Sequence, residues 1–247
     1  MKAFLLAAGR GTRLRPLTDT LPKCLVPVQG EPLLAIWLDL LQRHGVDAVL
    51  INTHHLAGQV ERAVAALQGR FRIAITLRHE PELLGSGGTL WINRRFVIRE
   101  QDFLIAYGDN LTDTDLSAMI AFHRQTCRPN GGLLTMGLIR AVDPRSCGVV
   151  TLDAERRIVG FTEKPADPES NLANGGIYVA SPEMFDACGM LPLRHGVPLD
   201  LGFDVLPRLT GKMFGFMLNG YLKDIGTPEA YRAALAEWPS ARDADER

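Results

Sequence analysis

Short apolar runs alternate with amphipathic stretches over residues 1–125, and this alternation restricts the fold more than any other feature. Lys2 to Ala7 reads as a buried strand. Pro32 to His44 carries Leu33, Ile36, Trp37, Leu40 and Leu41 at helical spacing. Ala48 to Asn52 is a short apolar strand, and Leu56 to Leu67 a helix with Leu56, Val60, Val64 and Leu67 on one face. Arg72 to Leu77 is a third strand, and Phe103 to Tyr107 a fourth that ends at Gly108-Asp109. Asp115 to Gln125 is helical, with Leu116, Ile120 and His123 on a stripe. Strands joined by helical crossovers pair in parallel, and their sheet must be covered on both faces. Ligands of such sheets bind beyond the carboxyl ends of the strands. The residues that follow each strand are therefore the ones that matter for function.

The second half reads differently. Gly148 to Leu152 and Arg157 to Phe161 are strands separated by Asp153-Ala154-Glu155-Arg156, which predicts a hairpin. Gly175 to Ala180 is another strand, and Ser181-Pro182 opens a short helix. Met213 to Leu218 and Tyr221 to Lys223 flank Asn219-Gly220, a hairpin turn signal. Thr227-Pro228 starts a last helix that runs to Trp238. From Pro239 the chain is charged and is expected to fray. No linker-like stretch divides it, so residues 1–238 are expected as one domain and 239–247 as a tail. There is no internal repeat and no hexapeptide array.

The 247 residues are 46% hydrophobic and 22% charged, enough for a full core without staples. A net charge of −1 gives no general field for nucleic acid, so any anion binding must be local. Cys24, Cys127, Cys147 and Cys188 form no CxxC pair. They predict neither a zinc site nor a disulfide framework, and are expected as buried thiols in a reducing cytoplasm. The first residues enter a strand directly, without the pattern of a signal peptide. No run approaches the ~20 apolar residues needed to span a membrane.

The segment after the first strand, "LAAGRGTRLRPLTDTLPKCLVPV", combines Gly9 and Gly11 with Arg10, Arg13, Arg15 and Lys23. A dinucleotide fingerprint would place a third glycine where Leu14 stands and an acid where the second strand ends in Asn52. A Walker loop would need GKS or GKT, and neither occurs. Backbone N–H groups freed by the glycines, with charge-assisted donors from Arg13 and Lys23, suit a polyphosphate. A plain turn with solvated arginines explains the glycines but not the density of charge around them.

Four other constellations carry candidate chemistry. Asp109 and Asp224 each end a strand near a glycine, where carboxylates could share Mg²⁺ with phosphates. Spacing alone does not show that they meet. Leu84-Gly85-Ser86-Gly87-Gly88-Thr89 could lie flat against a nucleoside, although composition favours a loop and helix entry. Glu163-Lys164-Pro165 could hold a sugar phosphate and a hydroxyl, against the plainer reading of a solvated charge pair. Asn174, read as preceding a strand, could bond sugar hydroxyls or simply shape a turn.

Taken together, these residues resemble the sugar-1-phosphate nucleotidyltransferase family, over nearly the whole chain to about Trp238. The resemblance implies a Rossmann-like three-layer αβα sandwich with a mixed, mostly parallel sheet and an inserted sugar-binding β-hairpin region. Residues 1–125 would mainly bind nucleotide and residues 126–238 mainly the sugar phosphate. It implies that Gly9, Gly11 and Arg13 bind the triphosphate, with Ala7, Ala8 and Thr12 joining them in substrate binding. Lys23 would contact phosphates near the reacting centre, and Gly87 and Gly88 would line the nucleoside. Gly148, Glu163, Lys164 and Asn174 would bind the sugar phosphate. Arg13, Lys23 and Asp109 would be catalytic, and Asp109 and Asp224 would hold Mg²⁺. Cys24 departs from the proline that many relatives have after the lysine, with little effect expected. The missing hexapeptide repeats argue against relatives that carry a C-terminal β-helix.

The implied partners are an NTP and a sugar 1-phosphate, with a homodimer left open, no nucleic acid and no membrane, in the cytoplasm. "LANGGIYVASPEMF" resembles guanylyltransferases acting on manno-configured sugars. GTP with mannose 1-phosphate leads, followed by D-glycero-D-manno-heptose 1-phosphate, then UTP with muramate or glucose 1-phosphate. A non-catalytic sugar-nucleotide sensor is the alternative of another class, and would not need Arg13, Lys23, Asp109 and Asp224 together.

Overall fold

The computed structural model describes residues 1–189 and 196–238. The strands in chain order are β1 (Lys2–Leu6), β2 (Pro27–Val28), β3 (Glu31–Pro32), β4 (Ala48–Thr53), β5 (Ala74–His79), β6 (Phe103–Tyr107) and β7 (Asn110–Thr112). They continue with β8 (Leu134–Arg140), β9 (Gly148–Leu152), β10 (Ile158–Glu163), β11 (Leu172–Ala180), β12 (Met213–Met217) and β13 (Leu222–Asp224). The helices are α1 (Leu17–Thr20), α2 (Leu33–Arg43), α3 (Ala57–Ala66), α4 (Gly85–Ile92), α5 (Leu116–Phe122), α6 (Met184–Ala187) and α7 (Pro228–Glu237).

β5, β4, β1 and β6 lie side by side and parallel. β11 then runs antiparallel between β6 and β8, and β12 extends the sheet parallel to β8. The antiparallel β9–β10 hairpin joins the opening of β11 at Ala173–Val149, so one nine-stranded sheet runs through both halves of the chain. Helices on both faces make three layers, as expected for an α/β sandwich. In β1, Ala3 and Leu5 point into one core and Phe4 and Leu6 into the other, as the two-residue strand period demands. The first core is built on α2, whose Leu33, Leu34, Trp37, Leu38 and Leu41 are all buried. The second takes in α6 and the segment from Leu199 to Leu209.

Two readings of the sequence need correction. Met213 to Leu218 and Tyr221 to Lys223 are not a hairpin. β12 pairs with β8 in the main sheet, while β13 pairs antiparallel with β7 in a separate two-stranded ribbon. Gly220 does supply the left-handed φ (+100°) that such a turn requires. Competing partners, Thr112, Asp113 and Thr114, hold the chain after the turn through Tyr221 O, Tyr221 N and Asn219 O. Asn174 lies inside β11 rather than before it, because the strand begins at Leu172 and bends at Asn174-Gly175-Gly176. The strands β7 and β8 were not anticipated, and Gly85–Ile92 forms a helix despite its glycines. Pro239 onward lies outside the described residues. Among the described residues, no helix is long and apolar enough to cross a membrane.

His123 was expected on the apolar stripe of α5. It is fully buried, but within a π-helical turn that follows the helix. Its Nδ1 is 3.0 Å from Thr135 Oγ1, and its Nε2 lies 3.1 Å from Ser181 Oγ and 3.4 Å from Asp102 Oδ1. Arg124 Nε and Arg128 Nη1 each donate to Asp102 at 2.8 Å. Burial alone would raise the Asp102 carboxyl, yet the hydrogen bonds from His123, Arg124 and Arg128 hold it well below the usual range. Asp102→Asn should therefore lose about 3 kcal/mol of stability at neutral pH, by urea denaturation. A group titrating lower in the folded chain contributes fully above the ordinary carboxylate range. Its contribution fades as pH falls, so the gap between wild type and variant should narrow near pH ~3.

Candidate active site

The loop after β1 is pinned at its root. Ala7 N–H donates to Asn52 Oδ1 at 2.7 Å, tying the loop to the end of β4. Gly11 adopts φ +62°, and a Cβ there would stand 2.9 Å from Thr18 Cγ2, so conformation and space both require glycine. Its carbonyl accepts from Leu14 N and Thr18 Oγ1, which closes the turn from Thr12 to Leu14. Among the described residues, the backbone N–H groups of Gly9, Arg10 and Gly11 donate to nothing. Gly9 faces open space. This row of N–H groups beside exposed Arg10 and Arg13 has the donors and charge that an anion would need. Arg15 is paired with Asp19 at 3.0 Å.

Asp109 and Asp224 meet. The β7–β13 pairing places Asp224 opposite Asn110, and Ile225 N–H donates to Asp109 O at 3.3 Å. Asn110 is anchored in turn by Trp37 Nε1–H to its carbonyl and by its own Nδ2 to Gly175 O. Lys23 Nζ lies between the two carboxylates, 2.8 Å from Asp109 Oδ2 and 3.0 Å from Asp224 Oδ1. Arg13 Nη2 is 3.4 Å from Asp224 Oδ2. Lys23 is 7% exposed, although lysine is rarely buried unless paired. Cys24 beside it is a core residue whose thiol is pushed up to about 12, chiefly by burial, so it is inert.

No group of three or more histidine, cysteine, aspartate or glutamate side chains suited to a metal exists among the described residues. The donor set is two carboxylates already sharing one cation. That fits Mg²⁺, which binds through one or two carboxylates and completes its shell with water and phosphate. It does not fit a closed zinc site.

A cavity of about 300 Å³ opens beside this cluster at the carboxyl ends of β1, β4 and β6. Ala8, Gly9, Asn52, Glu80, Ser86 and Asp109 lie on its wall. Glu80 is buried, and its carboxylate accepts from Asn52 Nδ2, Thr89 Oγ1 and Leu84 N. Sequence reasoning considered Asn52 only as a missing acid and overlooked Glu80. Asn52 lies at the carboxyl end of β4 and Glu80 directly after β5, and that position is the signal that could have found them. Gly87 and Gly88 lie off the cavity wall. Their N–H groups donate to Leu199 O at 2.8 and 3.0 Å, and Gly85 and Ser86 of the same run face the cavity instead.

The residues assigned to the sugar phosphate gather at the β9–β10 hairpin. Glu163 lies where a Cβ on Gly148 would come within 2.6 Å of its Oε2, and one on Gly202 within 2.5 Å. Burial pushes the Glu163 carboxyl up, Lys164 pulls it down, and Asp200 pushes it further up. Lys164 holds a left-handed φ of +49°, with its N–H on Cys147 O and its Nζ 5.8 Å from the Phe203 ring centroid. The Asn174 side chain is partly used within the strand. Its Oδ1 accepts from Gly176 N, and its Nδ2 donates to buried Tyr178 Oη at 2.6 Å. The Tyr107 hydroxyl is raised, first by burial and then by Asp200, Asp109 and Glu163, so it lies in the field of both ends of the site.

The chain is similar to known proteins over nearly its whole length. Residues 2–240 match the family model described as nucleotidyl transferase. The chain is 36% identical over 225 residues to a UTP–glucose-1-phosphate uridylyltransferase of Synechocystis, covering 85% of this chain and 55% of that protein. It is 32% identical over 239 residues to a mannose-1-phosphate guanylyltransferase of Mycobacterium tuberculosis, covering 95% of this chain and 64% of that protein. The chain thus spans a little over half to under two thirds of the length of these relatives. The crystal structure of HddC from Yersinia pseudotuberculosis superposes with a TM-score of 0.77 at 23% identity, over 96% of this chain and 99% of that one. The chain therefore belongs to the sugar-1-phosphate nucleotidyltransferase family.

Proposed function

We propose that this chain joins an NTP to a sugar 1-phosphate, giving an NDP-sugar and pyrophosphate. One observation carries the reading: Lys23, Asp109 and Asp224 converge beside an anion-binding glycine loop and a nucleoside-sized cavity. An oxygen of the sugar 1-phosphate attacks the α-phosphorus in line, and the bond from that phosphorus to the pyrophosphate oxygen breaks. The nucleophile is already an anion, so no side chain has to remove a proton. The barrier lies in bringing anions together and in the charge that builds on the α-phosphate. Gly9, Gly11 and Arg13 would hold the triphosphate, and Lys23 would face the reacting phosphate. Asp109 and Asp224 would hold Mg²⁺, which when bound supplies charge neutralisation at the phosphates. Glu163 and Lys164 would take a sugar hydroxyl and the sugar phosphate. Activity in the cytoplasm, where NTPs are made, is part of the proposal.

GTP with mannose 1-phosphate is the substrate pair put forward. The guanylyltransferase among the relatives supports it. The uridylyltransferase among the relatives keeps UTP with glucose 1-phosphate as the second reading.

Pyrophosphate release measured across common NTPs and a panel of sugar 1-phosphates with Mg²⁺ tests the reaction. Release with no pair would leave a binding protein instead. Asp109→Ala and Asp224→Ala should each lower kcat about a thousandfold with the fold intact by circular dichroism. Near-normal turnover of either at limiting Mg²⁺ would remove that aspartate from the mechanism.

Glu163→Gln should raise the KM for the sugar 1-phosphate about tenfold, as one charge-assisted hydrogen bond is weakened. It should also stabilise the protein slightly. A carboxyl raised in the folded chain lowers stability as pH climbs from the ordinary glutamate range through its folded value. The melting-temperature gain of the variant should be absent near pH ~4 and present at pH ~7. A gain that shrinks with rising pH would contradict the assignment.

A further inference from the structure

The charges around Lys23 cancel. Asp109 and Asp224 carry two negative charges, and Lys23 and Arg13, within 3.4 Å of them, carry two positive ones. The two cations are held differently. Arg13 is exposed and touches one carboxylate at 3.4 Å, a weak surface contact. Lys23 is 8% exposed along its side chain and bonds both carboxylates at 3.0 Å or less. Its backbone is fixed by the turn from Lys23 to Leu25, with Cys24 in the core, so only the flexible stem of the side chain can move. The ammonium thus stands between the two carboxylates that would hold a divalent cation. A divalent cation held by the same two carboxylates would stand close to the ammonium, and like charges at that range repel strongly.

Resting on the reaction proposed above, we propose that Lys23 is an internal counter-ion that closes the aspartate pair to free divalent metal. It yields the site only when metal arrives with a triphosphate. Free metal would have to displace the ammonium from two ionic hydrogen bonds and leave it unpaired beside a double positive charge. A metal–triphosphate pair is a net anion. Its phosphate oxygens give Lys23 and Arg13 new partners as the carboxylates turn to the metal. The same side chain then holds the aspartates together before binding and the phosphates after it. Metal and nucleotide enter as one unit.

The test measures binding of Mn²⁺ alone by electron paramagnetic resonance, on the full chain without nucleotide. Lys23→Met removes the charge and keeps the length. It should bind Mn²⁺ about tenfold or more tightly than wild type, the size of effect expected when a cation in contact with both ligands is removed. Adding Asp224→Asn to it should abolish the gain, and Lys23→Arg should keep the weak affinity of wild type. Circular dichroism checks that each variant folds. Should Lys23→Met fail to fold, Lys23→Gln, which also removes the charge, takes its place with the same gain expected. Equal or weaker Mn²⁺ binding by folded Lys23→Met would overturn the proposal. So would a folded Lys23→Gln that binds Mn²⁺ no more tightly than wild type. If the Mn²⁺ gain appears while no substrate pair releases pyrophosphate, the reaction fails and the counter-ion stands. The reverse pattern removes the counter-ion alone.

Discussion

One ammonium shared by two carboxylates is the contact that the rest of this architecture serves. Lys23, Asp109 and Asp224 come from three distant parts of the chain and meet within 3.0 Å. Nothing local brings them together. The short β7–β13 ribbon sets Asp224 opposite Asn110, and Trp37 and Gly175 fix Asn110 from two other directions. Asp109 is therefore held by the core of α2 on one side and by the bend of β11 on the other. A site of this kind is as rigid as the sheet beneath it, which is what positioning several anions requires.

The bend in β11 is where the two halves of the chain exchange neighbours. Ala173 pairs with β9, whereas Ile177 onward pairs with β6. Gly176 takes a left-handed φ of +74° there, and a Cβ on it would stand 2.8 Å from Asn110 Nδ2 and 3.0 Å from Tyr107 Cδ2. Asn174 braces the bend through Gly176 N and Tyr178 Oη. A single kink thus serves the aspartate cluster through Asn110 and the Glu163 hairpin through β9. Asn174 is needed for that kink whether or not it also touches a sugar, since its side chain has one N–H left after these bonds.

Much of the first half was legible because it is written in local periodicity. β1, β4, β6 and α2 follow from apolar spacing, and the glycine loop from the residues that end β1. The pairing of β12 and β13 was not legible. Asn219-Gly220 gives a turn, but a turn does not say whether its two strands pair with each other or with others. That choice was made by β8 and by Thr112, Asp113 and Thr114, which lie far away in sequence. The same limit applies to the cavity. Asn52 lies at the end of one strand and Glu80 follows another, and only the parallel register of β4 with β5 brings those ends together. Gly87 and Gly88 show the opposite case. Their residue type correctly announced close backbone approach, but what approaches them is Leu199 O.

The two ends of the site handle charge in opposite ways, and this bears on how the protein divides its stability. At the aspartate end every charge has a partner, so the cluster is neutral before any ligand arrives. At the hairpin end Glu163 is half-buried, raised by its surroundings, and balanced only partly by Lys164. Lys164 itself sits in a strained left-handed conformation, and such strain persists only where surrounding structure enforces it. A ligand bringing hydroxyl donors and a phosphate would satisfy both residues at once. The aspartate end thus has charges that can exchange partners, and the hairpin end has groups that can gain them. Binding energy at the second end comes from groups left under-satisfied in the folded chain, and stability spent there is recovered only when the ligand is bound.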